Sequence, residues 1–296
     1  MNPRLAGSLR VTALALLWGS GFLWIKIALT GFTPIQITLL RMALGAAVLL
    51  VILRLSGLHL PRDRKTWGHL TVAAFFGNAL PYLLFGIGEQ TVSSATAGVI
   101  NASTPLWTVL VAVLAYRSRS SARKNAWSLT LGFAGVLLIF SPWNHTTEIA
   151  SWGGLACLGA AASYGISYVY IGKFLVSQEL GVLRMATGQL ICATLLTLAM
   201  VPFFEWTIPH FELTSVLAVF ILGTFGTGVS YILNYQIITD DGPTAASIVV
   251  YLLPVESIIL GLVALSEILH LQLILGPCLY FWQDIYENLI IKIQNS

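Results

Sequence analysis

Apolar stretches of spanning length recur along the chain, separated by short polar breaks. They fall at 11–29, 35–53, 68–87, 95–115, 127–141, 152–171, 183–203, 214–235, 244–265 and 270–287. A hydrocarbon core about 30 Å thick takes about 20 residues of helix, so the pattern predicts ten transmembrane helices. Lipid offers no partner to a free backbone N–H or C=O, which leaves helices as the reading for each span. The fifth is short, and Gln283, Asp284 and Glu287 interrupt the tenth, so nine crossings plus an interfacial segment is the alternative. The expected fold class is an all-α polytopic membrane protein.

Composition agrees. Of 296 residues, 57% are apolar and only 9% charged, with a mean hydropathy of +0.84, whereas soluble domains carry about 25% charged residues. A soluble globule is excluded, and no large extramembrane domain fits. The net charge of +3 changes the picture only through its placement. Arg4 and Arg10 precede the first span. Arg54, Arg62, Arg64 and Lys65 follow the second, Arg117, Arg119, Arg123 and Lys124 the fourth, and Lys173 and Arg184 flank the sixth-to-seventh connection. The intervening breaks contain no Lys or Arg. Basic residues stay on the cytoplasmic side, so the amino terminus is expected there, as is the carboxyl terminus if the tenth span crosses. Charge distributed by loop in this way indicates orientation across a membrane, not a nucleic-acid partner. The run from Val11 to Leu29 reads as an uncleaved first span.

Shifting the sequence by 149 places Gly77 on Gly226, Tyr82 on Tyr231, Ala97 on Ala246 and Pro105 on Pro254. Nearby shifts place Trp18-Gly19 on Tyr164-Gly165 and Arg41 on Gln189. Two related five-helix repeats are therefore expected, at 1–145 and 146–296. Five crossings separate equivalent spans, and an odd number turns the second repeat upside down. Inverted repeats of this kind recur in secondary transporters, whose binding site lies near the midplane between the halves.

Candidate chemistry is sparse enough to name in full. Pro105 and Pro254 each remove a backbone hydrogen bond within a span, and with Gly77 and Gly226 they are candidate hinges, close packing being the alternative. The charges inside spans are Lys26, Arg41 and Glu256, and intramembrane charges tend to face a cavity or a partner. Glu256 is a candidate contact for a substrate amine or a proton-linked carboxylate, with a structural partnership to Arg41 or Lys26 as the alternative. Lys26 can also snorkel to the interface. Glu89 and Glu267, at the outer span ends, are candidate gate or cap residues. Trp18, Tyr82, Trp107, Tyr164 and Tyr231 would wall a cavity, and Asn78 and Asn101, with Glu256, would orient a mainly apolar ligand.

Other chemistries lack their parts. All five histidines lie in loops or at span ends, no Asp lies in a span interior, and Cys157, Cys192 and Cys278 sit in apolar stretches. That argues against an intramembrane protease or an embedded zinc hydrolase. There is no glycine loop with its lysine to cradle a nucleotide phosphate. The expectation is a non-enzyme with no metal and no cofactor.

Leu17-Trp18-Gly19-Ser20-Gly21-Phe22, Leu40-Arg41-Met42, Ala95-Thr96-Ala97-Gly98 running into Thr104-Pro105-Leu106-Trp107, and Ala245-Ala246 running into Leu253-Pro254-Val255 with Leu265-Ser266-Glu267 form an ordered set. Together they resemble the EamA-domain members of the drug/metabolite transporter superfamily, over nearly the whole chain to about residue 268. The resemblance implies a ten-helix inner-membrane carrier of two inverted five-helix repeats, with a cavity lined mainly by spans one, three, four, six, eight and nine. It further implies an exporter of amino acids or other small metabolites, with protons as a candidate coupling ion. The chain departs from the family at Ala115-Tyr116-Arg117-Ser118, where a Gly-Glu pair is usual, and in its last helix, which leaves a homodimer contact through that helix open. The expected function is alternating-access transport of a small amphipathic metabolite across the lipid bilayer. The alternatives are an exchanger of phosphorylated or nucleotide-linked sugars, which needs clustered positive charge, and a membrane scaffold or intramembrane enzyme.

Overall fold

The structure is a computed structural model that describes residues 3–116, 151–175, 180–240 and 243–267. The predicted fifth and tenth spans, the repeat boundary at 145/146 and Cys278 lie outside the described residues. Within them the chain is helical throughout, with α1 (Pro3–Ala28), α2 (Pro34–Leu55), α3 (Arg64–Ala74), α4 (Leu80–Gly88), α5 (Ser94–Asn101), α6 (Thr104–Tyr116), α7 (Trp152–Phe174), α8 (Val182–Met200), α9 (Leu213–Gly223), α10 (Ser230–Asp240) and α11 (Pro243–Leu265). A π-helical segment, Phe75–Ala79, joins α3 to α4 in one rod, and a second, Thr224–Val229, joins α9 to α10. Among the described residues, seven helical stretches are long and apolar enough to cross a membrane, and α11 carries a shorter apolar run, Leu252–Leu265.

Polar residues at the span edges start these helices. Ahead of Pro34, Gln36 Oε1 accepts from the Thr33 backbone N–H at 2.9 Å, half of a capping box, and the proline pre-sets the first turn. Asp63, Ser93 and Ser151 accept hydrogen bonds from the N–H groups of Thr66, Thr96 and Gly154 respectively. The backbone N–H of Thr66 is also what holds the exposed Asp63 carboxyl below the usual carboxylate range. Gly57, with φ +66°, turns the chain out of α2 in the left-handed region that glycine enters freely.

The closest helix partners come from different parts of the chain. α1 packs on α11, α2 on α8, and both α4 and α6 on α7. Small residues allow this. Gly165 of α7 lies against the Trp107–Thr108 backbone of α6, and Gly98 of α5 against Ser257 of α11, the close approach that substitutes for a hydrophobic driving force in lipid. Three apolar clusters result, one around Phe22, Phe85, Ile100 and Leu222, a second around Leu49, Leu70, Leu190 and Met185, and a smaller third around Leu14, Ile237 and Leu253. Leu55, Leu114, Phe203 and Val263 point outward, as a lipid-facing belt requires.

Candidate functional site

Among these clusters the helices form a cavity of about 140 Å³. One water needs about 10–15 Å³ on this measure, so there is room for about ten water-sized groups. Both parts of the chain line it. Residues 3–116 supply Trp18, Gly21, Phe22, Ile25, Arg41, Gly77, Tyr82, Phe85, Asn101 and Thr104, and residues 151–267 supply Tyr164, Ser167, Tyr168, Ile171, Gln189, Tyr231, Asn234 and Leu253.

Local sequence explains how the polar members reach it. The ring of Pro105 would strike the carbonyl of Asn101, four residues back, and the helix breaks there into a turn at Ala102–Ser103. The hydroxyls of Ser103 and Thr104 donate to the carbonyls of Ile100 and Asn101, each at 2.7 Å. Asn101 thereby ends a helix at the cavity wall. The wide turn at Phe75–Ala79 sits where Pro81 can give no N–H to the Gly77 carbonyl, and π-turns often mark functional positions.

Two crossed ties hold the wide turns. Arg41 of α2 donates from Nε to the Thr227 hydroxyl at 2.8 Å, inside the Thr224–Val229 segment. Gln189 of α8 donates from Nε2 to Asn78 Oδ1 at 2.7 Å, inside the Phe75–Ala79 segment, and Asn78 in turn donates to the Tyr231 hydroxyl. The Arg41 guanidinium lies 3.8 Å above the centre of the Tyr82 ring. Tyr82 meets Tyr164 edge-on at 6.3 Å, and Phe22 meets Phe85 edge-on at 5.4 Å, geometries that aromatic quadrupoles favour.

The sequence profile of the EamA-like transporter family matches residues 5–141 and again residues 151–281. The chain belongs to the EamA-like transporter family. It is 27% identical over 261 residues to the uncharacterized transporter YdfC of Bacillus subtilis (strain 168), spanning 88% of this chain and 83% of that one. It is 27% identical over 258 residues to the uncharacterized inner membrane transporter YedA of Escherichia coli (strain K12), spanning 84% and 79%. A solved crystal structure superposes with a TM-score of 0.65 at 20% identity, covering 94% of this chain and 95% of that one, a likeness of fold. This EamA-like chain is thus a polytopic helical membrane protein and a membrane transporter.

Of the residues the sequence nominates in this EamA-like transporter, the cavity brings together Trp18, Tyr82, Asn101, Tyr164 and Tyr231, with Gly77 and Arg41 beside them. Three nominated ligand contacts lie elsewhere. Asn78 is fully buried behind Gln189 and Tyr231, so it positions them. Trp107 is half-buried, its Cβ packed on Gly165. Glu256 is absent from the lining, its carboxylate lying against Gly19 of α1 at the α1–α11 seam. Gly226 sits in the second wide turn, and Pro254 lies within α11, which continues through it.

Lys26 and the two outer glutamates form a second polar group. Lys26 Nζ donates to the carbonyls of Glu89 at 2.6 Å and Val92 at 2.8 Å, so it closes the end of α4 and does not enter the cavity. Glu267 accepts from the backbone N–H groups of Ser94 and Ala95 at 2.8 and 3.1 Å, capping α5 from the end of α11. Glu89 is fully buried, and neither carboxyl oxygen has a hydrogen-bond partner among the described residues. The sequence alone points to none of Gln189, Ser167, Phe22 or Phe85 as cavity lining. The only available signal was the alignment of Gln189 with Arg41.

Proposed function

We propose that this chain is an inner-membrane secondary transporter that exports a small amphipathic metabolite, such as an amino acid, by alternating access. The observation that carries the reading is the cavity walled by both parts of the chain, with a wide helical turn on each side of it. Those turns begin 149 residues apart, at Phe75 and Thr224, the same offset that aligns Tyr82 with Tyr231. That offset and the two separate family matches support two inverted five-helix repeats, 1–145 and 146–296. The arginine and lysine asymmetry of the loops supports cytoplasmic termini. Gly77 and Gly226, each inside a wide turn, are the hinge positions in this reading.

Protons are the proposed coupling ion, and Glu89 their carrier. It lies one residue past the Arg64–Gly88 span, and burial pushes its carboxyl well above the usual carboxylate range. The Lys26 and Arg41 charges oppose that shift and Glu267 adds to it.

The test is flux in reconstituted vesicles across a panel of amino acids and metabolites, with and without a pH gradient. Gradient-driven flux of at least one compound is expected. Glu89 keeps its proton to higher pH than an ordinary carboxylate, so coupling should weaken as the pH rises through its raised value, and Glu89→Gln should abolish the pH dependence. No flux for any compound overturns the transport reading. A pH response unchanged in Glu89→Gln removes that residue from coupling.

A further inference from the structure

Arg41 is 6% exposed and belongs to the cavity lining. Its Nε is occupied by Thr227 and one face of its plane by Tyr82. Among the described residues no carboxylate forms an ion pair with it, and Glu89 interacts with it only through the longer-range field of its charge. A hydroxyl and an aromatic ring orient a guanidinium without neutralising it, and a buried charge left without a counter-charge is strongly unfavourable. The two terminal nitrogens remain, and they form the fork that matches a carboxylate in a bidentate pair.

The rest of the lining narrows the ligand further. Lys26, the other cation inside a span, is turned away onto two carbonyls. Neither Asp nor Glu appears among the lining residues described. One positive charge and no negative charge suit a single anionic group, and they leave an ammonium without a partner of its own. Trp18, Phe22, Phe85 and Tyr164 present apolar faces, while Asn101 and Gln189 present neutral amides.

We propose that Arg41 receives the carboxylate of the transported substrate, so that the cavity selects small monocarboxylates with an apolar or aromatic body. This rests on the carrier reading above and sharpens it. A carboxylate entering the cavity supplies the missing counter-charge and is held by Arg41. A neutral amide or a free amine of the same body supplies none. A phosphate dianion brings more charge than one guanidinium balances.

The experiment uses the full-length protein in phosphatidylethanolamine/phosphatidylglycerol vesicles, with binding read from tryptophan fluorescence in detergent and flux from counterflow. The probes are phenylalanine, 3-phenylpropionate, phenylalaninamide, phenethylamine and phenyl phosphate. 3-Phenylpropionate should bind and exchange most strongly, phenylalanine, whose ammonium finds no partner, more weakly, and the other three should do neither. In Arg41→Gln the carboxylate affinity should fall about 10- to 100-fold, the size of a lost charge-assisted hydrogen bond. Arg41→Lys, which keeps the charge and loses the fork, should retain part of the binding and decides the matter should Arg41→Gln fail to fold. Equal binding of amide or amine, or carboxylate affinity unchanged in a folded Arg41→Gln, overturns the assignment, while continued flux of those probes leaves the carrier reading standing. Arg41-dependent carboxylate binding without flux of any compound overturns the carrier reading and keeps the site. Neither binding nor flux overturns both.

Discussion

The two wide turns beside the cavity occupy equivalent registers and are built by different means. Phe75–Ala79 coincides with Pro81, which cannot donate to the carbonyl four residues back and would collide with it. Thr224–Val229 contains no proline and none follows within the next turn. Its freed carbonyls are instead caught by hydroxyls, Thr227 Oγ1 donating to Leu222 O at 2.9 Å and Ser230 Oγ to Gly226 O at 2.8 Å. Each turn is then gripped from the other part of the chain, the first by Gln189 on Asn78 and the second by Arg41 on Thr227. Wide turn and crossed tie recur, whereas the chemistry of the tie does not. Because one tie is an arginine and its counterpart a glutamine, a cavity that is two-sided in shape carries its charge on one side.

The largest effect expected from breaking this comparison is at the charged tie. Thr227→Val preserves shape and removes the hydroxyl that accepts from Arg41 and donates to Leu222. A hydrogen bond to a charged group is worth about 1.5–3 kcal/mol, and a loss of that size should appear in the unfolding of detergent-purified protein. A double-mutant cycle sharpens the point. Thr227→Val and Arg41→Gln should couple by about 0.5–3 kcal/mol, as contacting residues do. Thr227→Val and Gln189→Ala, which belong to different ties, should add. Coupling of equal size in both cycles would mean that the ties form one network.

Next comes the contrast between the paired glycines. A methyl group at Gly77 would meet Ser167 Oγ at 2.5 Å and Gln189 Nε2 at 3.2 Å, whereas at Gly226 the nearest atom is Leu17 O at 3.7 Å. Overpacking typically destabilises by about 1–3 kcal/mol, so Gly77→Ala should lower the unfolding temperature. Gly226→Ala should be neutral or slightly stabilising, since alanine is the better helix former. Equal losses at both positions would show that the two turns are packed alike after all.

Much of this architecture is legible in the sequence because hydropathy is a local property. The span beginning at Pro34 announces itself through Thr33 and Gln36, and the broken helix at Asn101 through Pro105. The aromatic walls Trp18, Tyr82, Tyr164 and Tyr231 could be picked out by their nearness to glycines and prolines. What could not be read is the direction a side chain takes around its helix once neighbours are present. Glu256 stands two residues after Pro254, and that proximity suggested the cavity. α11 runs through the proline unbroken, and its seam against Gly19 receives the carboxylate. Arg41 and Gln189 lie on spans outside the set that the family resemblance assigns to the cavity, and they enter it because α2 and α8 pack on each other. That is a tertiary fact with no local signature.

The smallest expected effect discriminates best between the two ways of making a wide turn. Pro81→Ala restores an N–H that the Gly77 carbonyl could accept and removes the ring that forbids an ordinary helical turn. If the proline alone holds Phe75–Ala79 open, the segment tightens, Asn78 rotates off Gln189 and Tyr231, and flux falls as it would in Asn78→Leu. The second turn argues otherwise, since it persists without a proline on its hydroxyls and its tie to Arg41. By the same reasoning the bonds from Asn78 should hold the first turn open in Pro81→Ala. Stability should then change by less than about 1 kcal/mol, because the Gly77 bond is still not made and the loss is confined to the looser unfolded-state constraint. Thermal unfolding and vesicle flux on Pro81→Ala, with Asn78→Leu alongside, decide whether the proline makes the turn or only fits it.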